Sequence, residues 1–179
     1  MNIFISGGCK NGKSYHAQEL ARDMAVQGGL PLYYLATMIP HDDEDRARIR
    51  RHLSERDGWG FETVECGRAI LRAANRAIGA TVLFDSATAL LACEMFSAAG
   101  FDPEAGARAA EELLVLSRRA DHFVCVCDDL FRDGGTYEEW TERYRRGLAQ
   151  VCRRLAAEFD TVCEVTAGIP HCYKGSLDR

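Results

Sequence analysis

The chain has 179 residues, 47% hydrophobic and 27% charged, a length and balance that suit one folded domain, 1–179, and exclude a disordered or fibrous protein. Its formal net charge is −5, so it lacks the broad basic footprint of a nucleic-acid binder, although a local field can still hold an anionic nucleotide. Met1 to Ser6 contain neither a basic leader nor a long apolar run, and no segment approaches the ~20 apolar residues of a membrane span, so a cytoplasmic protein is expected.

In chain order, short apolar runs alternate with longer amphipathic stretches, the pattern of βαβ units and a mainly parallel sheet. A strand is predicted at Asn2–Ser6, then a helix at Lys13–Gln27 that Gly28-Gly29 stops. Next come a strand at Leu32–Ala36, a helix at Asp42–Arg56, a short strand near Phe61–Glu65 and a helix at Arg68–Ile78. Thr81–Asp85 reads as a strand, Ala87–Ala98 as a helix, and Asp102-Pro103 as the start of a helix running to Arg119. The chain closes with a strand at His122–Cys127, a helix at Tyr137–Phe159 and a strand at Thr161–Thr166. Within the last helix Tyr144, Leu148, Val151, Cys152 and Leu155 recur at three-to-four spacing and form a core-facing stripe. The strands are continuous apolar runs, as expected where helices cover both faces of a sheet.

Eight cysteines are present, at 9, 66, 93, 125, 127, 152, 163 and 172. No Cys-x-x-Cys pair occurs, and Cys125 and Cys127 would share one strand face. They read as reduced core residues rather than as zinc ligands.

The chemistry begins at Gly7-Gly8-Cys9-Lys10-Asn11-Gly12-Lys13-Ser14, which follows a predicted strand and opens a predicted helix. That context makes it a phosphate-binding loop. Glycines let the backbone curl so that N–H groups face phosphate oxygens, and the helix adds the positive end of its dipole. Lys13 can reach the β- and γ-phosphates of ATP or GTP, and the Ser14 hydroxyl can ligate Mg²⁺. Thr81-Val82-Leu83-Phe84-Asp85 is an apolar strand ending in a carboxylate, so Asp85 is a second candidate metal or nucleotide ligand at the same sheet edge. Asp85 could also simply cap the helix that follows.

The segment Asp42 to Leu53 carries acids first and arginines after them, which suits a helix dipole and is also the pattern of a solvated helical face. Arg48, His52 and Arg56 fall four apart on one face, beside Ile49 and Leu53. A neutral histidine flanked by arginines can attack phosphorus while the arginines take up developing charge, which marks His52. His16, His41, His122 and His171 have no comparable setting and read as surface or packing residues. From the residues alone, a P-loop kinase or NTPase acting on another small molecule, or a nucleotide-binding protein without catalysis, stays open.

Over most of its length the chain resembles the CobU/CobP family, bifunctional adenosylcobinamide kinases and adenosylcobinamide-phosphate guanylyltransferases. The resemblance is carried by Ser6-Gly7-Gly8 leading into Gly12-Lys13-Ser14, by Tyr34-Leu35-Ala36-Thr37, and by Asp43-Glu44 with Arg48-Ile49-Arg50-Arg51-His52. Glu62-Thr63-Val64-Glu65, Asp85, and Gly168-Ile169 with Lys174 extend it. It implies a RecA-like α/β domain that assembles as a trimer, with the nucleotide beside Ala36, Thr37, Met38 and Glu65. It also implies that His52 becomes guanylylated by GTP and passes GMP to a phosphorylated corrinoid. Two stretches differ from the family pattern. Cys9-Lys10-Asn11 stands where Ala-Arg-Ser is usual, and Asp128 to Tyr137 replaces an Asn-Glu-Val-Gly-x-Gly stretch.

Overall fold

The computed structural model describes residues 1–40 and 42–177, with side chains omitted at helix positions 44, 45, 48, 51, 52 and 55. His41 therefore lies outside the described residues, as does the side chain of His52.

The chain runs β1 (Asn2–Gly7), α1 (Lys13–Gly28), β2 (Leu32–Ala36), α2 (Asp43–Glu55), β3 (Glu62–Glu65), a 3-10 turn (Ile70–Ala73) and α3 (Ala74–Ala77). It continues through β4 (Thr81–Asp85), α4 (Ala87–Met95), β5 (Phe96–Ser97), β6 (Gly100–Phe101) and α5 (Ala105–Arg119). β7 (His122–Asp128), α6 (Glu139–Glu158), β8 (Thr161–Thr166) and β9 (Ile169–Lys174) complete it. Seven strands form one sheet in the order β3-β2-β4-β7-β1-β8-β9. All neighbours are parallel except β8 and β9, which pair antiparallel. This mainly parallel sheet, covered on both faces, is the architecture the apolar runs predict.

Alternation along the strands divides the core in two. Ile3, Ile5, Leu83, Val124 and Val126 face α1 through Ala17, Leu20, Ala21 and Ala25. Phe4, Val82, Phe84, Phe123, Cys125 and Cys127 face the opposite way, against α3, α4, α5 and α6. The predicted stripe of α6 lies in this second layer, with Leu148, Val151 and Leu155 fully buried and Tyr144 and Cys152 packed at its margin. α1 ends as expected on Gly29, at φ 61°, where the Leu30 and Gly29 N–H groups donate to the Ala25 and Val26 carbonyls.

Several expectations need correction. The helix placed at Arg68–Ile78 is a 3-10 turn followed by only four α-helical residues. Ala69 adopts φ 51°, its N–H donates to Glu94, and Ile78 leaves in an extended bridge to Ala120. The helix placed at Ala87–Ala98 stops at Met95, because Phe96–Ser97 pairs with Gly100–Phe101 in a small hairpin. α5 begins at Ala105, with Asp102 accepting from the Glu104 N–H at 2.9 Å just ahead of it. α6 begins at Glu139, two residues later than predicted.

β9 is absent from the sequence expectation. It reads Ile-Pro-His-Cys-Tyr-Lys and is mostly exposed, so no apolar run betrays it. The turn into it, Ala167-Gly168, has φ of 50° and 80°, matching a two-residue hairpin turn whose twist suits antiparallel strands. That hairpin corrects the cysteine reading too. Cys163 and Cys172 stand opposite one another and are disulfide-bonded, and Cys9 is exposed. Cys66, Cys125 and Cys127 are buried as core residues should be, while Cys93 and Cys152 are half-buried.

The crossing of α5 and α6 is close enough to be tested by two substitutions. A Cβ on Gly106 would lie 2.9 Å from the Gly147 Cα, against backbone that cannot rotate away. A Cβ on Gly147 would clash with the flexible end of Met95 alone, at 2.8 Å, with Leu91 at 3.4 Å and the Gly106 Cα at 3.9 Å. Alanine gains about 1 kcal/mol over glycine in a helix interior, and overpacking costs about 1–3 kcal/mol. In urea denaturation, Gly106→Ala is expected to lower stability by up to about 2 kcal/mol, whereas Gly147→Ala stays within about 1 kcal/mol of the parent.

Candidate active site

The site forms at the C-terminal edge of the sheet, where the parallel strands aim their exits together. β1 sits between β7 and β8, with Gly7 level with Asp128 on one side and Val165 on the other. This crowding explains Gly7, since a side chain there would run into the Asn11 amide and the Val165 carbonyl. Asn11 donates from its amide nitrogen to the Val165 carbonyl and accepts from the Lys13 N–H at 3.1 Å. The Gly168 N–H donates to the Asn11 carbonyl at 3.0 Å, so the β8–β9 turn braces the loop from outside. Gly12, at φ 92°, begins α1 without a side-chain cap, so the helix presents backbone N–H groups toward the loop.

Lys13 is buried, with 7% of its side chain exposed. Its ammonium lies 2.6 Å from the Asp128 carboxylate and donates to the Gly8 carbonyl at 3.1 Å. Asp128 is fixed in turn, because its N–H donates to the Thr88 hydroxyl at 2.8 Å and the next N–H, of Asp129, donates to the Gly7 carbonyl at 2.9 Å.

On the other side of β7, Asp85 ends β4 and accepts from the Tyr34 hydroxyl at 2.9 Å. The Arg56 guanidinium lies 3.8 Å from the centre of the Tyr34 ring and donates to the Thr63 hydroxyl at 3.1 Å. Such stacking holds a planar cation within a part-buried pocket. Asp85 does not cap the next helix. Ser86 does, accepting from the Ala89 N–H at 3.2 Å.

A cavity of about 330 Å³ opens between the loop and α2. Of the residues expected at the site, Lys13, Ser14, Ala36, Met38, Glu65 and Asp85 line it. Gly7, Gly8, Cys9, Lys10, Asn11 and Gly12 form the loop beside it. Thr37 is not among the lining residues and is fully buried. Its hydroxyl donates to the Ser86 carbonyl and accepts from the Ser86 N–H at 2.7 Å, which clamps the exit of β4. The far wall of the cavity comes from α2, through Arg46, Ile49, Arg50 and Leu53. His52 belongs to the same helix, but its imidazole lies outside the described residues.

Residue-by-residue reading missed Asp128 as a partner of Lys13, although it ends an apolar strand just as Asp85 does. It also missed the clasp that follows. Arg132 contacts Asp129 at 2.8 Å and Glu164 at 2.7 Å, and the Tyr173 hydroxyl donates to Glu164 at 2.7 Å. The Tyr173 hydroxyl, then Arg132, hold the Glu164 carboxyl below the usual carboxylate range. No local pattern marks these residues, because they meet only through the β8–β9 hairpin.

The donor set near the loop suits Mg²⁺. The Ser14 hydroxyl and the Asp85 carboxylate both line the cavity and could offer the ion two hard oxygen ligands. Mg²⁺ commonly takes one or two protein oxygens and completes its shell with phosphate and water.

The chain matches the family model described as cobinamide kinase / cobinamide phosphate guanyltransferase (CobU) over residues 3–172. It is 32% identical over 182 aligned positions to the bifunctional adenosylcobalamin biosynthesis protein CobU of Salmonella typhimurium strain LT2, covering 94% of this chain and 97% of that protein. Among solved structures, the ATPase domain of G40P aligns with a TM-score of 0.53 at 13% identity, covering 91% of this chain and 68% of that one. A KaiC-like protein from Pyrococcus horikoshii OT3 aligns at 0.49 and 14% identity, covering 91% and 69%. The chain belongs to the CobU family, a P-loop α/β transferase of cobalamin biosynthesis.

The exposed Cys9 gives the loop its own reporter. Burial pushes the Cys66 thiol up to about 11 and also raises those of Cys93 and Cys125, so these react slowly as thiolates at neutral pH. The Cys127 contact lowers the Cys152 thiol, but Cys152 is half-buried against that partner. Cys9, the exposed one of the free cysteines, is expected to be the first modified by an aromatic disulfide reagent, and MgATP should slow that modification several-fold by covering the loop. Peptide mapping of the labelled site against nucleotide concentration checks both outcomes.

Proposed function

We propose that this CobU-family transferase phosphorylates the side-chain hydroxyl of adenosylcobinamide from ATP or GTP, then attaches GMP to the product through a guanylylated His52. One observation carries the reading. The phosphate loop and the arginine-rich helix α2 face each other across a single cavity of about 330 Å³, so one nucleotide site serves both transfers. His52 lies three positions after Ile49 and four before Arg56, which both line that cavity.

In the kinase half, Lys13, the loop N–H groups and the α1 N-terminus hold the triphosphate and draw negative charge toward the leaving oxygen. Ser14 and Asp85 would hold Mg²⁺, which would neutralise charge on the phosphate oxygens. Arg46, Arg50 and Arg56 surround the nucleotide with donors that favour bidentate contact with phosphate. Tyr34 orients the Asp85 carboxylate through the hydrogen bond already described. Ala36, Met38 and Glu65 would border the nucleoside portion, and buried Thr37 fixes the turn beneath it.

In the guanylyltransferase half, an imidazole nitrogen of His52 attacks the α-phosphorus of GTP. The P–N bond forms as the bond to pyrophosphate breaks. An oxygen of the corrinoid phosphate then attacks the same phosphorus and histidine leaves, giving adenosyl-GDP-cobinamide. The covalent intermediate divides one difficult displacement into two. A homotrimer in the cytoplasm completes the proposal. Exposed Phe96 and Trp140 offer apolar area for contact between copies.

Incubation with α-labelled GTP and Mg²⁺, followed by denaturation, should leave about one label per chain, acid-labile and alkali-stable. His52→Ala should abolish it while retaining ATP binding within a few-fold. Label that survives His52→Ala, or no label on the parent protein, removes the guanylylated-histidine step.

A further inference from the structure

Of the cysteines outside the β8–β9 bridge, two touch each other. Cys127, next to the end of β7, lies 3.6 Å sulfur to sulfur from Cys152 of α6. Disulfide sulfurs stand ~2.05 Å apart, so closing a bond here asks for a movement of only ~1.5 Å. Fully buried Cys125, on the same strand face, has its sulfur against the Val126 carbonyl at 4.0 Å.

The two thiols differ as a reactive and a resolving thiol should. Cys127 is wholly enclosed, and its contact with Cys152, together with burial, holds its thiol well above the ordinary range. The same contact holds the Cys152 thiol below its ordinary value, although burial opposes it. Cys152 is half-buried. The thiol readier to ionise is thus also the one that a small oxidant can reach.

The pair is wired to the phosphate loop. The Cys127 sulfur lies 3.5 Å from the Thr88 hydroxyl, and that hydroxyl accepts from the Asp128 N–H at 2.8 Å. From α6, the Tyr144 hydroxyl donates to the Thr88 carbonyl at 2.8 Å. Asp128 in turn holds the Lys13 ammonium at 2.6 Å. A bond from β7 to α6 draws the Cys127 sulfur off Thr88 and disturbs the support of Asp128, one residue from the ion pair that places the loop lysine.

We propose that Cys127 and Cys152 form a redox modification site, closed to a disulfide by hydrogen peroxide and reopened by thiols, whose closure weakens nucleotide binding at the phosphate loop. The Cys152 sulfur attacks one peroxide oxygen, the O–O bond breaks, and the other oxygen leaves as water, giving a sulfenic acid on Cys152. The Cys127 sulfur then bonds to the Cys152 sulfur as the S–O bond breaks, and a second water leaves. The two thiols lose two electrons, peroxide gains them, and both thiol protons end in water. A dithiol reverses the bond by exchange. Only the nucleotide takes part, so no corrinoid is needed for the site to operate.

The test treats the reduced full chain with hydrogen peroxide, blocks the remaining thiols and maps linked peptides by mass spectrometry. Calorimetry gives Kd for MgATP before oxidation, after it, and after dithiothreitol. Cys152→Ser and Cys152→Ala are treated in parallel. Cys9 and the Cys163–Cys172 pair are present in all three proteins, so the difference between parent and variants reports the Cys127–Cys152 pair. The expected result is a Cys127–Cys152 linked peptide in the parent. Its Kd should rise about tenfold more than that of either variant, the scale of one misplaced charge-assisted hydrogen bond. Dithiothreitol should restore it.

Absence of the linked peptide when Cys9 is already oxidised overturns the site. So does conversion of Cys152 to the sulfinic acid with Cys127 still free. A linked peptide with no change in Kd overturns the control of the loop, as does a change equal in parent and variants, which belongs to Cys9. Failure of the reduced parent to bind MgATP refutes the nucleotide reading of the loop and the control with it, while the peptide map still decides the bond.

Discussion

The site depends above all on the carboxamide of Asn11. One end accepts from the Lys13 N–H and the other donates to the Val165 carbonyl, so a single side chain ties the loop to α1 and to β8. Each such hydrogen bond is worth only about 1 kcal/mol net, and their importance lies in geometry. They fix the curl that directs the loop and require Gly7 to lack a side chain, while the Asn11 backbone carbonyl separately accepts the Gly168 N–H from outside. Placement of Lys13, and through it contact with Asp128, follows from that arrangement.

The second organising feature is the stretch that departs from the family pattern. Asp128 to Tyr137 carries no recognisable motif, yet it is secured at several points. Asp128 meets Lys13, Arg132 bridges Asp129 and Glu164, and Arg145 of α6 donates to the Leu130 carbonyl at 3.1 Å. Asp133 accepts from the Tyr137 hydroxyl, and both that contact and the Gly135 N–H hold its carboxyl below its ordinary value. This web joins the phosphate loop, the edge hairpin and α6. The segment therefore supports the site by contacts of its own.

Much of this was legible in sequence where the signal is local. The phosphate loop needs only a strand, glycines, lysine, serine and a helix in succession. The five apolar strands could be found for the same reason, and Thr81–Asp85, Leu32–Ala36 and Thr161–Thr166 have the expected bounds. What escaped depends on pairing between distant residues. β9 is exposed and contains a proline, so only the turn geometry at Ala167-Gly168 and its pairing with β8 define it. Cys163 and Cys172 look like two more core thiols until that hairpin exists. The apolar run from Ala87 suggests a longer helix, because hydrophobicity alone cannot show that Phe96 turns back to meet Phe101. Asp128 is visible as a strand-end acid, but its partnership with Lys13 depends on β7 inserting between β1 and β4, an order that no local pattern encodes.

The two borders of the sheet have a further consequence. On one side stands β3, only four residues long, bearing Glu62 and Glu65. On the other stands β9, whose exposed Pro170 has no N–H to offer a neighbour. Short, charged or proline-bearing margins discourage another chain from extending a sheet. Both margins of the sheet are thus blunted against growth. Association of copies through helices and loops is thereby favoured over strand pairing, and it would leave the row of strand exits that forms the nucleotide site open.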